Sequence, residues 1–129
     1  MAMKKLTLSI MHEKLGICRL ESGLPLPDWV GGSKNFYAIT GTADETSIVC
    51  REDLIPAGLL SENNFRALKV NGPLAFSLTG ILASLLNPLA AAGISVFAVS
   101  TYNTDYILIK EKNLEQAIGL LSATMTIRR

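Results

Sequence analysis

Asp105 closes a polar run, Thr101-Tyr102-Asn103-Thr104-Asp105, and stands directly before an apolar one, Tyr106-Ile107-Leu108-Ile109. From Val70 to Thr104 the chain carries no charged residue at all. A carboxylate at the mouth of a buried strand has two uses. It can bond its own backbone in an Asx-type turn, or it can face the ammonium of a ligand. A zwitterion also needs donors for its carboxylate. The run Phe76-Ser77-Leu78-Thr79-Gly80 reads as a helix start. Free N–H groups and the helix dipole favour an anion there, and Gly80 allows close backbone approach. Ser77 and Thr79 can act at this point as helix caps or as ligand contacts. Tyr102 is either a lid over a bound side chain or a solvated turn residue.

Other chemistries find little support. His12 is the only histidine and there is no CxxC, so neither a metal nor another cofactor is expected. Cys18 and Cys50 lie in apolar, strand-like runs and read as buried thiols of a reducing compartment. The run Gly72–Gly80 lacks the Gly-Lys-Ser/Thr ending of a phosphate loop. No nucleophile stands beside a base, so no enzyme is expected. The net charge is +1 and the basic residues are scattered, which argues against a nucleic-acid surface. Trp29 reads as a core plug.

The uncharged stretch from Val70 to Thr104 is long enough to suggest a membrane span. Gly72-Pro73, Asn87-Pro88 and Gly93 cut it into loop, helix, turn and strand. Leu6 to Met11 is too short for the core of a signal peptide. A cytoplasmic protein with no membrane partner is the expectation.

The elements that must position Asp105 emerge from an internal repeat. Tyr37–Leu54 can be laid over Phe97–Leu114 without a gap at a spacing of 60 residues. Ala38 then meets Ala98, Thr40 meets Ser100, Glu45 meets Asp105 and Ile48 meets Leu108. The same spacing lays Leu6–Ile10 over Arg66–Val70, both alternating like half-buried strands. Each copy reads as strand, connector, strand, polar turn, strand and short helix. In the second copy the connector is helical, with Ile81, Leu82, Leu85, Leu86 and Leu89 on one stripe. Gly93 ends it and Pro88 kinks it or begins its last turn. In the first copy the prolines and glycines of Arg19–Gly32 forbid a long helix. A last helix spans Leu114–Leu121 and precedes a short terminal strand.

This order predicts an α+β fold of two ferredoxin-like units, each an antiparallel sheet with helices on one face. The boundaries expected are 1–62, with its connector helix shortened, and 63–129. Units this small leave apolar surface uncovered, so a homodimer is expected.

The stretch from Gly72 to Ile109 resembles the second repeat of the tandem ACT-domain proteins of the CASTOR type, and Thr42–Glu52 resembles the hairpin of their first repeat. The resemblance implies a regulatory module that binds an amino acid between repeats or between subunits. It implies ligand contacts at Ser77, Leu78, Thr79 and Gly80, at Ile94, and at Thr101, Tyr102, Asn103, Thr104 and Asp105. Glu45 is the candidate mate of Asp105 in the first repeat. In the arginine-sensing relatives an acidic residue stands at the position of Leu78. Leu78 cannot receive a guanidinium, which favours a smaller polar or apolar amino acid. The rival readings are a structural or partner-binding ACT module without a ligand, and a small enzyme on the same sandwich.

Overall fold

The computed structural model describes residues 6–74 and 79–129. Among these residues eight strands and two α-helices follow one another as β1 (Thr7–Ile10), β2 (Leu15–Leu20), β3 (Ala38–Gly41), β4 (Thr46–Arg51), β5 (Leu60–Val70), α1 (Ile81–Ala91), β6 (Phe97–Ser100), β7 (Asp105–Lys110), α2 (Leu114–Leu121) and β8 (Thr126–Arg128). The chain forms two compact units. One is Glu13–Phe65; the other joins residues 6–12 to Arg66–Arg129. The dividing line therefore falls inside β5, and the first strand of the chain belongs with the second half.

In the unit Glu13–Phe65 the strand order is β3-β4-β2-β5, antiparallel throughout. This is the ferredoxin-like order, but both helices are reduced to short 3₁₀ turns, Asp28–Gly32 and Glu52–Leu54. The prolines and glycines before β3 explain the first of these: they break i→i+4 bonding before a full turn can nucleate. Trp29 packs against the small core of Cys18, Val30, Ile48 and Cys50. Ser33 is buried and bridges two segments, its hydroxyl donating to the Phe36 carbonyl at 2.5 Å and accepting from the Arg51 N–H at 3.0 Å.

In the other unit the order is β6-β7-β5-β1-β8. The β1–β8 pair is parallel, so the sheet is mixed rather than purely antiparallel as the pattern predicts. Leu8, Ile10, Leu68, Val70, Ile107 and Ile109 point from one face of this sheet into a core shared with both helices. From α1 come Leu85 and Leu89, both fully buried. From α2 come Leu114, Ala117, Ile118 and Leu121, a single stripe at helical spacing. Each fully buried leucine contributes roughly 1.5–3 kcal/mol of transfer free energy. The last helix has the bounds its periodicity predicts. Gly93, at φ +74°, follows the end of α1, and the Ile94 N–H closes the turn on the Leu89 carbonyl at 2.9 Å.

Two features of the repeat differ from the sequence alignment. Leu6–Ile10 and Arg66–Val70 are not counterparts in two units; β1 and β5 are antiparallel partners in one, Leu8 facing Val70 and Ile10 facing Leu68. Two segments of like alternation pair with each other as readily as they occupy equivalent places. The hairpins are also one residue out of step with the sixty-residue spacing. Gly41 pairs with Thr46 and Ser100 with Asp105, so Thr46, not Glu45, stands where Asp105 does. The turn bonds agree: the Thr42 N–H donates to the Glu45 carbonyl at 2.9 Å, as the Thr101 N–H does to the Thr104 carbonyl at 2.8 Å. Glu45 is thus the counterpart of Thr104. A one-residue slip matters in a strand because it exchanges the two faces.

Candidate functional site

The turn between β6 and β7 is built by two threonines. The Thr101 hydroxyl donates to the Thr104 carbonyl at 3.0 Å and accepts from the Thr104 N–H at 3.3 Å. The Thr104 hydroxyl donates to the Val70 carbonyl at 2.6 Å and is buried. The Asn103 carbonyl accepts from the Leu74 N–H at 2.7 Å, which ties the turn to the segment after β5. Gly72 makes this approach possible: a Cβ there would lie 3.0 Å from the Leu74 nitrogen and 3.1 Å from the Asn103 oxygen. The turn needs neither Gly nor Pro because side-chain hydroxyls satisfy its backbone.

Asp105 opens β7, half-buried, and its Oδ1 accepts the Ser100 hydroxyl at 2.6 Å. The bond runs across the closing pair of the hairpin rather than back to the turn backbone. It fixes the carboxylate on a strand end.

An open cleft of about 310 Å³ lies beside this carboxylate. Ser100 and the turn Thr101–Asp105 give its polar lining; Leu74, Ile81 and Leu82 give its apolar lining, and Gly80 borders it as well. Gly80 precedes α1 in the left-handed conformation, φ +77°, and among the described residues no side chain caps the helix. The Ser84 N–H takes the Gly80 carbonyl at 2.9 Å, the first bond of the helix. The N–H groups of the first turn have no partner within the helix. No acidic residue lies in that turn to offset the helix dipole.

The structure thus brings together Gly80, Thr101, Tyr102, Asn103, Thr104 and Asp105. Tyr102 is 80% exposed at the turn's tip. Thr79 is exposed and makes no cap. Ser77 and Leu78 lie outside the described residues. Ile94 is in the hydrophobic core and not on the cleft. Glu45 belongs to the hairpin of the other unit. Four lining residues were not singled out by sequence: Ser100, Leu74, Ile81 and Leu82. Ser100 was recoverable from hairpin closure on Asp105. Ile81 and Leu82 read as core because they begin the apolar stripe; in the structure both are only half-buried.

Elsewhere among the described residues no group of three or more His, Cys, Asp or Glu could hold a metal ion. No helix among them is long and apolar enough to cross a membrane. Burial raises both thiols, Cys50 to about 11, with the nearby Cys18 and Asp53 adding to the shift.

A half-length, α+β, ferredoxin-like unit with a ligand-sized cleft at a strand–turn–helix junction defines a class. Residues 60–123 match the ACT domain family, so this part of the chain carries an ACT domain. A second family, described as an N-terminal domain, matches 13–58. Among solved structures, an Agobacterium tumefaciens protein is 36% identical, with a TM-score of 0.89 over 97% of this chain and 93% of its own. The ligand-free regulatory subunit of aspartate kinase from Thermus thermophilus has a TM-score of 0.62 over 94% of this chain and 99% of its own; at 11% identity it shows the fold alone. The cytosolic arginine sensor for mTORC1 subunit 1 of Bos taurus is 31% identical over 105 residues, 73% of this chain. This chain spans 32% of that sensor's length.

Proposed function

We propose that this chain is a regulatory protein that binds an amino acid in the cleft between the β6–β7 turn and the start of α1, and that it is not an enzyme. The observation that carries the reading is that opposite features line one cleft: the Asp105 carboxylate on a strand end and a helix start that no described side chain caps. The ligand ammonium meets Asp105. The ligand carboxylate meets the first N–H groups of α1, with Gly80 leaving room for it. Thr101, Tyr102 and Asn103 form the rim. Contacts from Leu78 and Ile94 rest on the family resemblance alone; those from Ser77 and Thr79 rest on it and on the helix-start pattern, and that from Glu45 on the internal repeat. The amino-acid class is supported by the ACT domain and by the arginine sensor among the relatives. Leu78 argues against arginine itself.

The two units are read as ACT repeats in tandem, supported by their related strand orders and matching turn bonds. A cytoplasmic homodimer completes the proposal. It is supported by two buried free thiols, by a relative named as cytosolic, and by exposed apolar side chains such as Leu24, Leu26 and Leu60. Those same side chains favour the second reading, a partner-binding module without a ligand. A thermal-shift screen against the common amino acids separates the two. A ligand at one hundred times its dissociation constant adds roughly 2.7 kcal/mol, a shift of several degrees for a chain of this size. No shift with any amino acid at millimolar concentration leaves the partner-binding reading standing. Sedimentation as a monomer at high micromolar concentration overturns the dimer.

A further inference from the structure

The charges that line the cleft constrain which amino acid can occupy it. Asp105 is the only charged residue among the described residues that line it. The chain from Val70 to Thr104, which supplies every other described lining residue, has neither acid nor base. The aliphatic part of its lining is Leu74, Ile81 and Leu82. We infer that the site selects amino acids with an uncharged, apolar side chain and rejects both acidic and basic ones. This inference rests on the amino-acid reading above.

The argument is one of matching charges. A zwitterion engages Asp105 through its ammonium and the helix start through its carboxylate, and this uses the charged partners present. A lysine or arginine side chain then finds no second carboxylate. An aspartate or glutamate side chain finds no cation, and its added negative charge is repelled by Asp105. A charge that leaves water without a partner is costly. An apolar side chain meets three aliphatic residues and gains by their burial. The cleft's size, about 310 Å³, lies at the small end for ligand sites and suits one amino acid rather than a peptide or nucleotide.

Leu82 is the position from which selectivity can be reversed. It lies in the first turn of α1, half-buried and on the cleft. A glutamate there is favoured by the helix dipole and supplies the missing second carboxylate.

Calorimetric titration of the whole chain with leucine, isoleucine, valine and methionine, and with lysine, arginine, aspartate and glutamate, tests this. The expected result is that at least one of the apolar four binds tenfold or more tightly than any of the charged four. A charged amino acid that binds as tightly as the best apolar one overturns the inference while leaving amino-acid binding intact. Failure of all eight to bind overturns the inference, and the thermal-shift screen against the common amino acids then decides the amino-acid reading separately. Leu82→Glu is expected to weaken the best apolar ligand at least tenfold and to raise affinity for lysine, with circular dichroism as the folding control. A folded Leu82→Glu protein with unchanged apolar affinity places the side chain elsewhere and overturns the inference. If that variant does not fold, the wild-type panel decides.

Discussion

The Ser100 hydroxyl lies 2.6 Å from Oδ1 of Asp105, across the last pair of the β6–β7 hairpin. The bond orients a carboxylate that would otherwise rotate freely about its own side-chain torsions. A strand end is a rigid base from which to aim a charge, and the hydroxyl holds the aim.

Asp105→Asn keeps the shape and still accepts the Ser100 hydroxyl. It removes the charge that would meet a ligand ammonium, a loss on the order of 2–5 kcal/mol for a buried pair. The expected outcome is at least a tenfold weaker amino-acid ligand with an unchanged circular dichroism spectrum. Equal affinity in calorimetry would reduce Asp105 to a turn residue.

Thr104 tests the turn rather than the charge. Its buried hydroxyl serves the Val70 carbonyl at 2.6 Å. Thr104→Val keeps the volume and strands that carbonyl, so stability should fall by about 1–3 kcal/mol. Thr104→Ser keeps the donor and should lose less. Urea melts of the three proteins rank them; a Thr104→Val midpoint equal to wild type refutes the role given to the hydroxyl.

Cys50 gives a pH dependence. Its folded pKa, about 11, lies above the ordinary 9.0, because burial first, then Cys18 and Asp53, disfavour the thiolate. The unfolded chain therefore loses this proton first as pH rises. The stability held by the neutral thiol is complete below pH 9 and is lost as pH climbs from about 9 towards 11, at no more than about 1.4 kcal/mol per pH unit. Burial raises the Cys18 thiol as well. The measurement is thus a difference: denaturant midpoints between pH 8 and 11 should fall more steeply in wild type than in Cys50→Ala. Parallel slopes would contradict the assignment.

Gly93 holds φ +74° with nothing near the place a Cβ would occupy. Gly93→Ala should therefore cost only backbone strain, roughly 1–2 kcal/mol. Thermal melting reads this as a drop of a few degrees. A larger loss would mean that the Ile94-to-Leu89 closure had opened as well.

Much of this was legible before any coordinates. The stripe Leu114, Ala117, Ile118 and Leu121 has only one period that fits, so α2 was determined by local pattern. The same is true of the weak connector in the first half, where prolines and glycines act within their own residues. The polar run Thr101–Asp105 announced the turn, because threonine and asparagine side chains can replace the bonds that a Gly-Pro turn would make.

What local pattern could not settle was pairing. Alternating strands say which residues share a face, but not which strand lies alongside. Leu6–Ile10 and Arg66–Val70 look like copies and prove to be partners. The hairpins look aligned on two acids, but hydrogen bonding moves the match by one residue and sets Thr104 against Glu45. Register is a property of two strands at once, fixed by their ladder and by the core both must fill, so no single segment contains it. The cleft has the same origin. Asp105 and Gly80 were each visible in the sequence; that they and Leu74 line one space was decided when the Asn103 carbonyl accepted the Leu74 N–H and the Thr104 hydroxyl donated to the Val70 carbonyl, contacts between residues that only the folded chain brings within reach.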